Sequence, residues 1–126
     1  MKKIWVVDDD EEMSKAVQLM LKLLGFETRH YLGARPAALA LLNGNQPDLM
    51  IVDIRMPEVG GLDLLEFIRR RKEWKNLPII VLSTEADDVT VDQAMALGAD
   101  AYVFKPVTIE ELEKAITTAF QKHQIS

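Results

Sequence analysis

The stretch "IWVVDDDEE" (4–12) sets an unbroken apolar run against five consecutive acids. Ile4 to Val7 is short, continuous and rich in β-branched residues, as a strand buried on both faces should be. Asp8, Asp9 and Asp10, with Glu11 and Glu12, follow at once, and acids so close together repel one another. A buried parallel strand that ends in charge puts that charge at the carboxyl edge of a sheet. Open α/β sheets bind their ligands there.

The same character recurs in "LMIVD" (49–53), "PIIVLS" (78–83) and "AYVF" (101–104), whereas "FETRHY" (26–31) alternates and reads as an edge strand. Helical patterns separate these runs. Met13, Ala16, Val17, Met20 and Leu24 fall at helical spacing and stop at Gly25. Ala34 to Leu42 predicts a shorter helix closed by the "NGNQP" turn. Leu62, Leu65 and Ile68 define a third that runs on toward Trp74. Asp87 to Leu97 gives a fourth with a weak apolar stripe (Val91, Ala94, Met95), closed by Gly98. Ile109, Leu112, Ile116, Ala119 and Phe120 mark the last. Five strands alternating with five helices predict an α/β three-layer sandwich. The expected form is a flavodoxin-like (βα)5 unit with a parallel sheet of order 2-1-3-4-5.

At 126 residues the chain reads as a single domain, 1–126, with one core. A net charge of -5 argues against a nucleic-acid surface as the main function. With no cysteine and only His30 and His123, thiol chemistry is excluded and a His-built metal site disfavoured. No apolar run approaches the roughly 20 residues of a membrane span. The apolar run after Lys2 and Lys3 is too short for a signal peptide, so the expected location is cytoplasmic.

In this topology Asp8-Asp9, Asp53, Ser83-Thr84 and Lys105-Pro106 all finish strands at one rim. Each has a plain structural reading. Asp9 with Glu12 fits an acidic capping box, Asp53 before Met-Pro a turn, Ser83 a strand-end hydroxyl, and Lys105 an exposed lysine. Capping does not explain why four strands end in groups suited to one ligand. Clustered carboxylates raise one another's pKa unless a cation lies between them, and oxygen ligands select Mg²⁺. One carboxylate can then attack phosphorus to give an aspartyl-phosphate, with Lys105 and Ser83 donating to the phosphoryl oxygens. Asp10, with Glu11 and Glu12, is assigned instead to the N-terminus of the first helix.

These residues resemble the receiver domain of two-component response regulators, the CheY-like family, over essentially the whole chain. "VVDDD" resembles the family's first-strand acid pair and "MIVDIRMPEVGGLDLL" its phosphorylation-site strand and loop. "PIIVLST" resembles its hydroxyl-bearing strand and "GADAYVFKP" its lysine-proline strand end. "WVVDDD" and "DIRMP" further resemble the NtrC-like branch. The resemblance implies Asp53 as phospho-acceptor, with Mg²⁺ bound by Asp9, Asp53 and the carbonyl of Arg55, and by Asp8 through water. It implies Ser83 and Tyr102 as the switch pair, Lys105 as the phosphate-binding lysine, Arg55 and Glu85 as tuners of hydrolysis, and a cis bond before Pro106. Tyr102 also reads as a plain core aromatic.

The implied function is phosphorelay signalling rather than enzymology, with self-catalysed transfer and slow autodephosphorylation. The implied donor is a sensor histidine kinase or phosphotransfer protein. The output partner would be a separate protein, an output domain absent from this sequence, or a second copy. Each would meet the surface of the fourth helix, fifth strand and fifth helix. No direct contact with nucleic acid or membrane is expected. Two positions depart from the family pattern. Gly60-Gly61 replaces the usual Asp-Gly and is expected to loosen its loop, and Thr84 sits where a smaller residue is usual. The rival readings are a receiver that never takes phosphate and a Mg²⁺-dependent phosphohydrolase. A hydrolase of the haloacid-dehalogenase type would want an Asp where Arg55 stands.

Overall fold

The computed structural model describes residues 1–124. Its elements, in chain order, are β1 (Lys3–Val7), α1 (Glu11–Leu23), β2 (Glu27–Tyr31), α2 (Ala34–Leu42) and β3 (Leu49–Val52). They continue with α3 (Gly61–Arg69), β4 (Ile79–Ser83), α4 (Asp88–Ala96), β5 (Ala101–Phe104) and α5 (Ile109–Lys122). The strands form one parallel sheet in the order β2-β1-β3-β4-β5.

Strand alternation explains why the central strands are apolar at every position. Ile4, Val6, Leu49, Ile51, Ile80 and Leu82 point to one face, where they pack with Val17 and Leu21 of α1 and Leu112 and Ile116 of α5. Trp5, Val7, Met50, Val52, Ile79 and Val81 point to the other, against Ala37 of α2, Leu64 and Ile68 of α3 and Ala94 of α4. Two cores on one sheet give the three-layer fold. A period-2 strand paired only on one side, such as β2, needs no such run, and its residues are half-buried or exposed.

Two details correct the sequence reading. The cap of α1 is Asp10, whose carboxylate accepts from the Met13 N–H at 3.1 Å, so no Asp9–Glu12 box forms. A capping box forms instead at α5, between Thr108 and Glu111. The third helix does not run on to Trp74 but ends at Arg69, and Arg71 is extended (φ -102°, ψ 131°) before a 3-10 turn at Lys72–Trp74. At this end Arg69 donates to the Trp74 carbonyl at 3.1 Å and the Gly98 carbonyl at 3.0 Å, which braces the turn, while the Trp74 ring is buried.

Candidate functional site

The sheet order places the carboxyl ends of β1, β3, β4 and β5 side by side. Asp53 continues β3 by donating its N–H to the Val7 carbonyl at 2.9 Å, and Lys105 continues β5 by donating to the Ser83 carbonyl at 3.0 Å. Asp8, Asp53 and Ser83 are buried, at 3%, 8% and 1% exposure, whereas Asp9 is exposed. Burial of three polar side chains at a strand edge calls for partners.

Most of those partners lie within the cluster. Lys105 Nζ is 2.9 Å from Asp8 Oδ2 and 3.5 Å from Asp53 Oδ2. Asp8 Oδ1 accepts the Asp10 N–H at 2.9 Å. Burial pushes the Asp53 carboxyl up to about 6; the Lys105 charge opposes this and the Asp8 charge adds to it. Burial also pushes the Lys105 ammonium down, but its bond to Asp8 and the two negative charges outweigh that, and the net shift is upward. Asp8, Asp9 and Asp53 each offer a carboxylate oxygen within 4.8 Å of the others. Hard oxygen donors this close fit a divalent cation such as Mg²⁺, which would relieve the repulsion that one lysine leaves.

Around this centre, Ser83 Oγ accepts the Glu85 N–H at 3.1 Å, and a hydroxyl can donate as well as accept. Tyr102 donates its hydroxyl to the Glu85 carbonyl at 2.6 Å, so this half-buried ring is tied to the loop before α4. Arg55 and Glu85 form an ion pair across the rim. Thr84 is exposed. The Lys105-Pro106 bond is cis.

Gly61 has a reason that the sequence did not disclose. A Cβ there would stand 2.0 Å from the Asp53 carbonyl oxygen, so the start of α3 can lie against the end of β3 only without a side chain. Gly60 is the N-cap of α3 and supplies no side-chain bond to it.

The sequence reading also missed His30. Its Nε2 lies 2.7 Å from the Asp8 carbonyl oxygen, tying β2 to the acidic loop. A lone histidine in an alternating edge strand gives no signal of this. Asp100, buried with Arg69 and His123, was missed as well, but it precedes β5 and lies at the opposite sheet edge.

Comparison with known proteins matches residues 4–117 to the response regulator receiver domain model. The chain is 32% identical over 120 residues to the chemotaxis protein CheY-3 of Vibrio cholerae, covering 95% of this chain and 92% of that protein. It is 37% identical over 110 residues to the phosphate regulon transcriptional regulatory protein PhoB of Rhizobium meliloti, covering 87% of this chain but 48% of that protein. A response regulator receiver domain protein from Clostridium thermocellum superposes with a TM-score of 0.86 at 28% identity, over 98% of each chain. With fold, strand-edge residues and relatives in agreement, the chain belongs to the response regulator receiver domain family.

Proposed function

We propose that this domain accepts a phosphoryl group on Asp53 from the phosphohistidine of a sensor histidine kinase or phosphotransfer protein. The observation that carries this reading is the Asp53 carboxylate itself. It is buried, 3.5 Å from Lys105 Nζ, with two further carboxylates at cation-binding range. Ionised Asp53 attacks phosphorus, the P–N bond breaks as the P–O bond forms, and the histidine leaves as neutral imidazole once its other nitrogen is protonated. Lys105 and the Ser83 hydroxyl donate to the phosphoryl oxygens. Asp9, Asp53 and the Arg55 carbonyl would hold Mg²⁺, with Asp8 in support. When bound, the cation stabilises charge developing on the phosphoryl oxygens.

The phosphoryl adds roughly -1.5 to -2 charge beside Ser83. Ser83 and Tyr102 respond and bias α4, β5 and α5 toward a second arrangement. Support for a movable α4 is its slight anchorage. Among its residues only Ala94 is buried, while Val89 is 76% exposed. The output surface binds a separate protein, an attached output domain or a second copy, in the cytoplasm. No helix among the described residues is long and apolar enough to cross a membrane.

The test is incubation with acetyl phosphate and Mg²⁺, followed by intact mass. A single added phosphoryl group, lost in Asp53→Asn, is expected. No addition, or addition that persists in Asp53→Asn, overturns the assignment, and turnover of phosphate monoesters would favour a hydrolase.

A further inference from the structure

The carboxyl end of β1 carries one hydrogen bond that the phosphoryl chemistry does not call on. His30 sits in register with Val6, and its imidazole reaches along β1 to place Nε2 2.7 Å from the Asp8 carbonyl oxygen. A carbonyl oxygen only accepts, so Nε2 carries the hydrogen and donates. The β1–β2 ladder has ended by this point. Asp8 donates its own N–H to the Tyr31 carbonyl at 3.0 Å, and among the described residues no backbone N–H answers the Asp8 carbonyl. The imidazole takes the place of the missing rung.

Asp8 is thereby fixed at every polar atom: N–H by Tyr31, carbonyl by His30, Oδ1 by the Asp10 N–H and Oδ2 by Lys105. Asp9 is the opposite case. Its exposed carboxylate makes no hydrogen bond or ion pair among the described residues, yet offers an oxygen within 4.8 Å of those of Asp8 and Asp53. The Asp8 carbonyl and the Asp9 nitrogen share one planar peptide. Holding that carbonyl therefore sets the direction in which Asp9 leaves the strand.

We infer that His30 is a positioning residue for the divalent cation, fixing the Asp8–Asp9 peptide so that the Asp9 carboxylate faces Asp53. The inference rests on the reading of Asp8, Asp9 and Asp53 as a cation site. A purely architectural role is less apt, because α1 is already joined to β2 by Thr28 donating to Gln18 at 3.2 Å, and Gln18 is itself held by donating to Ser14 within α1. His30 touches the loop that carries the ligands instead.

The experiment is calorimetric titration of the unphosphorylated protein with Mg²⁺, comparing wild type, His30→Ala, His30→Gln and Asp9→Ala. Groups that orient metal ligands typically contribute 10–100-fold in affinity, so His30→Ala should weaken binding about 10-fold or more. Glutamine, whose amide also donates, should restore most of it. Wild-type affinity in His30→Ala, or no rescue by glutamine, overturns the inference. Nitrogen NMR of the imidazole gives a second readout: hydrogen on Nε2 supports it, and hydrogen on Nδ1 alone overturns it. Asp9→Ala separates the two levels. Wild-type binding there would sink the cation site itself, whereas lost binding there with unchanged His30→Ala would sink only the role of His30.

Discussion

Lys105 Nζ and Asp8 Oδ2 lie 2.9 Å apart, with only 8% and 4% of their side chains exposed. That contact is shorter than the 3.5 Å between Lys105 and Asp53, so the lysine is anchored on Asp8 rather than on Asp53. Anchored there, it offsets the charge of Asp8 more closely than that of Asp53. Removing it leaves two enclosed carboxylates facing each other. Lys105→Met should lower stability by about 3 kcal/mol at neutral pH with chelator present, the scale of a broken buried pair. Saturating Mg²⁺ should recover most of that loss. Urea unfolding with and without Mg²⁺ checks both, and an equal loss in the two conditions would contradict the shared-charge account.

The Asp53 carboxyl, pushed up to about 6 by burial, carries a pH signature of its own. Its folded value lies above the ordinary 3.8, so the neutral acid is favoured in the fold. The stability it contributes is complete at acidic pH, below about 4, and is lost as pH rises through 6. Metal-free protein should therefore weaken over that window. Asp53→Asn should remove the slope and be the more stable protein at neutral pH in chelator, by on the order of 2 kcal/mol. Unfolding midpoints measured from acid to neutral pH decide it. A variant less stable than wild type at neutral pH would refute the sign.

Gly61 is where the sequence misled by its ordinariness. Gly60-Gly61 reads as a loose pair, yet a Cβ at Gly61 would meet the Asp53 carbonyl at 2.0 Å, while one at Gly60 would lie 3.2 Å from the Ile54 carbonyl. Both obstacles are backbone, but the first is an outright overlap, whereas the second asks the Ile54 carbonyl to give by only a little. Gly61→Ala should cost more than about 2 kcal/mol and disturb labelling at Asp53, whereas Gly60→Ala should stay within about 1 kcal/mol. Parallel denaturation of the two variants tests the contrast.

What the sequence disclosed and what it hid divide along physical lines. Ile4 to Val7 and Leu49 to Val52 announced buried parallel strands because every position meets a core. The acids, hydroxyl and lysine at the rim were legible because strand ends are fixed once the strands are. Hidden were contacts between side chains and distant backbone. His30 meets Asp8 across 22 residues and Arg69 meets Gly98 across 29, and periodicity reports burial, not such partners. The early stop of α3 was hidden in the same way, since Arg69 also holds the turn that follows through the Trp74 carbonyl.

Arg55 and Glu85 pair at the rim, with 75% of the Arg55 side chain exposed. An exposed pair contributes little to stability, so Arg55→Ala should leave the urea midpoint nearly unchanged. A lid over Asp53, by contrast, would act on kinetics. Arg55→Ala is expected to shorten the aspartyl-phosphate lifetime several-fold, followed by loss of the phosphoryl mass after rapid removal of the donor. An unchanged lifetime would rule out the lid.

At the opposite edge, Asp100 Oδ2 accepts the Ile79 N–H at 2.8 Å and pairs with Arg69 at 3.1 Å, while Oδ1 lies 2.9 Å from His123 Nε2. This cluster joins the start of β4, the end of α3 and the end of α5. Burial pushes the Arg69 guanidinium down and Asp100 opposes it, so removing the acid strands an enclosed cation. Asp100→Ala should cost about 3–5 kcal/mol, and His123→Ala, which deletes one bond, about 1 kcal/mol. The double variant Arg69→Met with Asp100→Ala should fall short of the summed losses by more than about 1 kcal/mol, because the stranded charge is gone. Since the cluster lies at the amino ends of β4 and β5, folded His123→Ala protein should still label at Asp53 at the wild-type rate. A slowed rate there would mean that the two edges of the sheet are coupled.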